Sequence, residues 1–136
     1  MEIERLIPQR YPIKVVDELL EVNGNEAHCQ LGLRADNCFI EPDGRMAEPG
    51  LIEHIAQCAS AVAGYRAVAA GATQPPLGFI GEVKNFHCYR RPAVGEMLHT
   101  TIENGPEVAG VTLITGKVMS GDELLAETKM KIFINK

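Results

Sequence analysis

The chain has 136 residues, 46% of them hydrophobic and 23% charged, which is enough apolar material for one domain with a core and too little length for two. A formal net charge of −5 excludes the basic footprint that a nucleic-acid backbone requires, and the longest apolar run, broken by Arg66, falls short of a bilayer span. The four cysteines, Cys29, Cys38, Cys58 and Cys88, form no C-x-x-C pair, which excludes a zinc ribbon and a dithiol redox motif and predicts free, mostly buried thiols.

The opening "MEIERLIPQRYP" carries acids where a signal peptide needs bases, so a cytoplasmic location is expected, and "EIERLIP" predicts a helical turn. The aliphatic segment from Ile13 to Val22 then reads as a strand, "NGN" as a turn, and "EAHCQLGLR" as a second strand. In that strand Ala27, Cys29, Leu31 and Leu33 alternate with more polar neighbours. Residues 35–48 contain the turn chemistry "PDG" and predict an irregular loop. A helix is predicted over residues 48–71, followed by four β-rich segments separated by "RRPAVG", "NGPEV" and "SGD", a pattern that suits an antiparallel meander. No internal repeat or linker divides residues 1–136. The order ββ, one long helix, ββββ predicts an α+β domain in which one helix is covered by a single curved sheet. Such a sheet leaves edges and apolar surface exposed, so a homodimer is expected.

The helix "EPGLIEHIAQCASAVAGYRAVAAG" is apolar on more than one face, with a row of small residues at Ala56, Ser60, Gly64 and Ala67, yet it carries Glu53 near its start. Capping by interaction with unpaired N–H groups is the ordinary role for an acid in a first turn. An enclosed helix would give it another, because a desolvated carboxyl is suited to general acid–base chemistry. Gln57, at i+4, is placed to hydrogen-bond Glu53 or to hold a bound carbonyl, while His54 points about 100° away round the helix.

These segments carry a resemblance. "LIPQRYPIKVVDELLEV", "IEHIAQCASAVAGY" and "VKNFHCYRRPAVGEML" resemble, in order and over nearly the whole chain, the opening, central-helix and following-strand motifs of the FabZ-type 3-hydroxyacyl-carrier-protein dehydratases. The resemblance is closer to the divergent dehydratase-like proteins of aryl-polyene and flexirubin pigment clusters. It implies a hot-dog fold, a dimer with acyl tunnels at the interface, and Glu53 as the acid that handles the departing hydroxyl. It also implies a loop histidine that this chain lacks: the two possible registers put Glu41 or Phe39 there, and Gln9 stands where the opening motif has a histidine.

Candidate bases in its place are Glu41 and Asp43 on the loop, His54 on the helix and His87 on the next strand; His28 and His99 read as ordinary strand histidines. The N–H groups after Gly50 are candidates for binding a thioester carbonyl, with Gln57 and Phe39 as further substrate contacts. Lys84, Arg90 and Arg91 concentrate positive charge that would steer an acidic carrier protein, unless they form only a solvated turn. The four histidines show no metal-ligand spacing, and neither a metal nor another cofactor is expected. The expected ligand is an acyl thioester on carrier protein or on coenzyme A. Dehydration is the leading reaction, with thioester hydrolysis or a non-catalytic subunit paired with an active paralogue as alternatives.

Overall fold

In the computed structural model, which describes residues 2–135, a short 3-10 turn at Ile3–Arg5 precedes strands β1 (Glu18–Asn23) and β2 (Glu26–Gly32). Helix α1 (Glu48–Ala69) follows, then β3 (Leu77–Cys88), β4 (Met97–Val108), β5 (Val111–Ser120) and β6 (Glu123–Asn135). The strands form one antiparallel sheet in the order β1-β2-β4-β5-β6-β3, with α1 packed against it. This is the helix-on-sheet arrangement that the sequence pattern predicts.

The inward face follows from alternation. Ala27, Cys29, Leu31 and Leu33 are buried, and Leu98, Ile102, Ile114, Val118, Ala126 and Met130 continue the same layer across the sheet to meet Leu51, Ile55 and Cys58 of α1. All four cysteines are free; Cys29 and Cys58 lie in this layer, while Cys38 is exposed.

Three predicted details are corrected. First, the last four strands are not a simple meander, because β3 pairs with β6 at the far edge while β4 pairs with β2. The hairpins β4-β5 and β5-β6 close through tight turns at Gly110 and Gly121, both with positive φ, whereas residues 89–96 between β3 and β4 contain Pro92 and bridge to the loop at Arg45. That longer crossing is free to carry the chain over the sheet. Second, "NGPEV" is no turn: it lies inside β4, where the register shifts between Asn104 and Glu107, and Pro106, which has no N–H to give, sits in that irregularity. Third, β1 begins at Glu18, because Val15 and Val16 before it are buried against the helix side instead of joining the ladder.

Every residue of α1 from Gln57 to Val62 is buried, a continuous stretch that no single helix face could give. The sheet covers part of this surface, and the N-terminal segment covers another. A Cβ at Gly64 would lie 1.9 Å from the Leu6 carbonyl oxygen, so the chain crosses α1 where only glycine fits. Gly64→Ala is therefore expected to destabilise the protein by about 1–3 kcal/mol through overpacking, although alanine is favoured over glycine within a helix by about 1 kcal/mol. Urea denaturation measures the difference; a more stable variant would mean that the Leu6 segment yields without cost.

Strand β3 has a free edge, and it exposes Leu77, Phe79, Ile80 and Val83, each between 36% and 53% accessible. Natural sheets seldom leave a long apolar edge uncovered.

Candidate functional site

The helix begins at Glu48, as the sequence predicts, which places Glu53 past its first turn. Ala47 is the N-cap, Pro49 stands in the first turn where its missing N–H costs nothing, and the first-turn acid is Glu48. Glu53 is thus one turn further in, beyond the unpaired N–H groups, and the capping explanation passes to Glu48.

The Glu53 carboxylate is half-buried and fixed from behind. Gln57 Nε2 donates to Glu53 Oε2 at 2.8 Å and to the Ile13 carbonyl at 2.9 Å, while Gln57 Oε1 accepts the Val15 N–H at 2.7 Å. The amide of Gln57 is therefore spent on the chain's own groups, and its geometry is that of a brace for Glu53. The spacing i, i+4 made the first of these bonds legible; the two to residues 13 and 15 depend on where the N-terminal segment lies.

In front of Glu53 is a cavity of about 230 Å³, lined by Gln9, Glu53, Ala56, Ser60, Phe79 and Ile80, with Gly78 and Ile132. Glu53, Ala56 and Ser60 share one face of α1, and residues 78–80 belong to the free-edge strand. Ile132 also borders a second cavity of about 820 Å³, which continues along α1 past Ala63, Ala67 and Ala70 to Pro75 and Pro76. The row of small side chains leaves that space between helix and strand ends.

None of the four histidines lines the cavity at Glu53. His54 is completely buried on the other side of the helix, between the Val15 carbonyl oxygen at 2.6 Å and the Thr100 hydroxyl at 2.7 Å. Burial pushes its pKa down to about 4, against the smaller upward pull of the Val15 carbonyl. The carbonyl can only accept, so Nδ1–H donates to Val15 and the neutral Nε2 accepts the Thr100 O–H. Both nitrogens are committed to the fold, and no free basic nitrogen remains. His87 is exposed on β3 and stacks on Tyr89, and His28 and His99 share a hydrogen bond of 3.1 Å on the outer side of the sheet.

The loop residues stand apart as well. Phe39 packs on Gly50, where an added Cβ would lie 2.6 Å from it, and its carbonyl accepts the Ala47 N–H. The Gly50 N–H donates to the Ala47 carbonyl at 2.9 Å, so it is not a free donor for a thioester. Glu41 accepts from Arg91 at 2.8 Å, and Asp43 pairs with the same guanidinium while also accepting the Arg45 N–H. Neither carboxylate borders the cavity.

The basic cluster is neutralised within the chain. Arg90 donates to Glu96 at 2.8 and 2.9 Å and to Glu123 at 2.9 and 3.0 Å, Arg91 holds Glu41 and Asp43, and Lys84 lies 3.6 Å from Glu82. The Arg90 guanidinium, helped by the Ala93 N–H and the Ser120 hydroxyl, pulls the Glu96 carboxyl down to about 2. Arg90 and Arg91 brace the 89–96 crossing to the loop and to β6, whereas Lys84 shares Glu82 with Lys131.

A helix packed against one antiparallel sheet is the hot-dog arrangement, here with a carboxylate on the helix facing a cavity. The chain belongs to the ApeP-like family, described as ApeP dehydratase, whose model matches residues 1–136. It is 31% identical over 135 residues to the 3-hydroxyacyl-[acyl-carrier-protein] dehydratase FabZ of Natranaerobius thermophilus, covering 95% of this chain and 92% of that one. Its fold is similar to a chain of the dehydratase heterocomplex ApeI:P of Xenorhabdus doucetiae, with a TM-score of 0.92 at 17% identity over 100% of this chain and 92% of the other. A hypothetical thioesterase of Streptococcus pneumoniae, crystallised with coenzyme A, shares the fold at a TM-score of 0.67 and 9% identity, over 87% and 84% of the two chains. No helix among the described residues is long and apolar enough to cross a membrane.

Proposed function

We propose that this chain is the carboxylate-bearing half of a cytoplasmic 3-hydroxyacyl-thioester dehydratase whose base is an imidazole from a paired subunit. One observation carries the reading: the cavity at Glu53 is walled by the free-edge strand β3 and contains no imidazole. A second subunit laid along β3 would cover Leu77, Phe79, Ile80 and Val83 and close the cavity at the same time. The family membership and the likeness to a dehydratase heterocomplex support a paired arrangement, and a histidine-bearing paralogue fits it better than a second copy of this chain.

In this reading the thioester carbonyl acidifies the hydrogen on C2, and the partner's imidazole takes it. Electrons of the C2–H bond form the C2=C3 double bond as the C3–O bond breaks, and the Glu53 carboxyl gives its proton to the departing oxygen, which leaves as water. Glu53 is the catalytic residue of this chain, and Gln57 is a positioning residue that holds one carboxyl oxygen so that the other faces the cavity. The acyl chain extends into the larger cavity along α1, whose lining is mostly apolar. His54, Glu41 and Phe39 serve the fold. The carrier protein is the proposed bearer of the thioester.

The test is a product assay with 3-hydroxyacyl-carrier protein, run on the chain alone and after pairing with a dehydratase paralogue that carries the loop histidine. Enoyl product from the pair and none from the chain alone is expected. Enoyl product from the chain alone would place the base within it, and free acid would make it a thioester hydrolase.

A further inference from the structure

We propose that Gln9 is a specificity-determining residue that recognises the hydroxyl group of the acyl chain bound beside Glu53. Two glutamines stand near this carboxylate, and they differ in what their amides do. Gln57 uses its oxygen and both amide hydrogens within the chain. Gln9 lines the cavity, yet its Oε1 is turned inward and buried with no hydrogen-bond partner among the described residues. Folded proteins pair the great majority of buried acceptors, so an amide beside a cavity whose oxygen is buried unpaired is held in place by no bond to that oxygen and is free to turn toward a ligand.

The rest of the cavity narrows the choice of ligand group. Ala56, Phe79, Ile80 and Ile132 offer only apolar contact, and besides Glu53 and Gln9 the side chain able to hydrogen-bond is Ser60, buried on the same helix face as Glu53. A plain methylene chain would leave the Gln9 amide unsatisfied. A hydroxyl both donates and accepts, and a carboxamide carries an acceptor and donors side by side. The terminal torsion of glutamine is broad and nearly two-fold, so a turn of the amide exchanges which of its two atoms faces the cavity.

This proposal rests on the reading of Glu53 given above and adds the fate of the second hydrogen. When the C3–O bond breaks, Glu53 supplies one proton to the leaving oxygen, but that oxygen already carries a hydrogen of its own that needs an acceptor. With the amide turned so that Oε1 faces the cavity, Gln9 accepts a hydrogen bond from that hydrogen, which stays on the oxygen and leaves with the water, and this holds the C3–OH with its lone pairs toward the Glu53 carboxyl. The departing water then keeps one bond to Gln9.

The experiment compares equilibrium binding of two pantetheine-linked amides of equal chain length, one with a 3-hydroxyl and one saturated, to the paired complex. The wild-type complex is expected to favour the hydroxyl form by about tenfold, the share of one hydrogen bond. Gln9→Met, of similar length and without the amide, is expected to abolish that preference and to keep the affinity for the saturated amide within about twofold. Gln9→Asn, which keeps the amide on a shorter arm, should retain part of the preference and serves if the methionine variant fails to fold. A preference unchanged in these variants, or equal weakening of both ligands, would overturn the assignment and leave Gln9 as a packing group. If the wild-type complex binds neither amide, the acyl-binding reading itself falls, and this proposal with it.

Discussion

Glu53→Gln in the paired complex is expected to lower enoyl formation by about two to four orders of magnitude, with thioester binding within about threefold of wild type. The substitution keeps the shape of the side chain, and the new amide can turn its oxygen toward Gln57 Nε2, preserving the 2.8 Å bond that braces it. What it removes is a transferable proton at the cavity. The loss should therefore fall on turnover and not on affinity, which single-turnover measurements with 3-hydroxyacyl-carrier protein would separate. Full activity in the variant would end the role given to Glu53, while lost binding with normal stability would make the carboxylate a substrate anchor.

The second large effect concerns His54 and is a matter of stability. Its folded pKa of about 4 lies below the ordinary 6.5, so between these values the unfolded chain binds a proton that the folded chain refuses. The contribution of the neutral imidazole is fully present above pH 6.5 and is lost as the pH falls through 4. At 1.36 kcal/mol per unit, it amounts to about 3 kcal/mol over that interval. His54→Leu should abolish this part of the pH dependence. At pH 7 it should also cost about 2–4 kcal/mol, since it strands the Val15 carbonyl and the Thr100 hydroxyl in the core. Urea titrations at pH 7, 5.5 and 4.5 measure both effects, and a leucine variant with the wild-type pH slope would contradict this account of the buried imidazole.

What the sequence shows of this protein is mostly local. The alternation Ala27, Cys29, Leu31, Leu33 names the inward face of β2 because each side chain's direction is fixed by its neighbours in the strand. The run of small and apolar residues after Pro49 names an enclosed helix for a similar reason, and the motif resemblance supplies the fold into which it fits. The placement of β3 beyond β6 was hidden, since pairing across a sheet depends on residues far apart in the chain. The partners of the charges at 90 and 91 were hidden in the same way: they are Glu41 and Asp43 on the loop and Glu96 and Glu123, and no spacing rule links positions 91 and 41. His54 follows Glu53 directly, and the helical angle correctly separates the two, but only the packing of the Val15 segment shows that both ring nitrogens are used. Gln9 carried no signal beyond standing where the family's opening motif has a histidine. Its unpaired oxygen becomes visible only once the N-terminal segment is laid beside the helix.

The central claim is that the Glu53 carboxyl faces the reacting carbons of an acyl chain held between α1 and β3. A crystal structure of the paired complex with a non-hydrolysable 3-hydroxyacyl pantetheine amide tests it directly. The account predicts the C3 oxygen within about 3.2 Å of a Glu53 carboxyl oxygen, with the chain running past Ile132 toward Pro75 and Pro76. A ligand seated elsewhere, with the Glu53 cavity filled by the partner's own side chains, would contradict it.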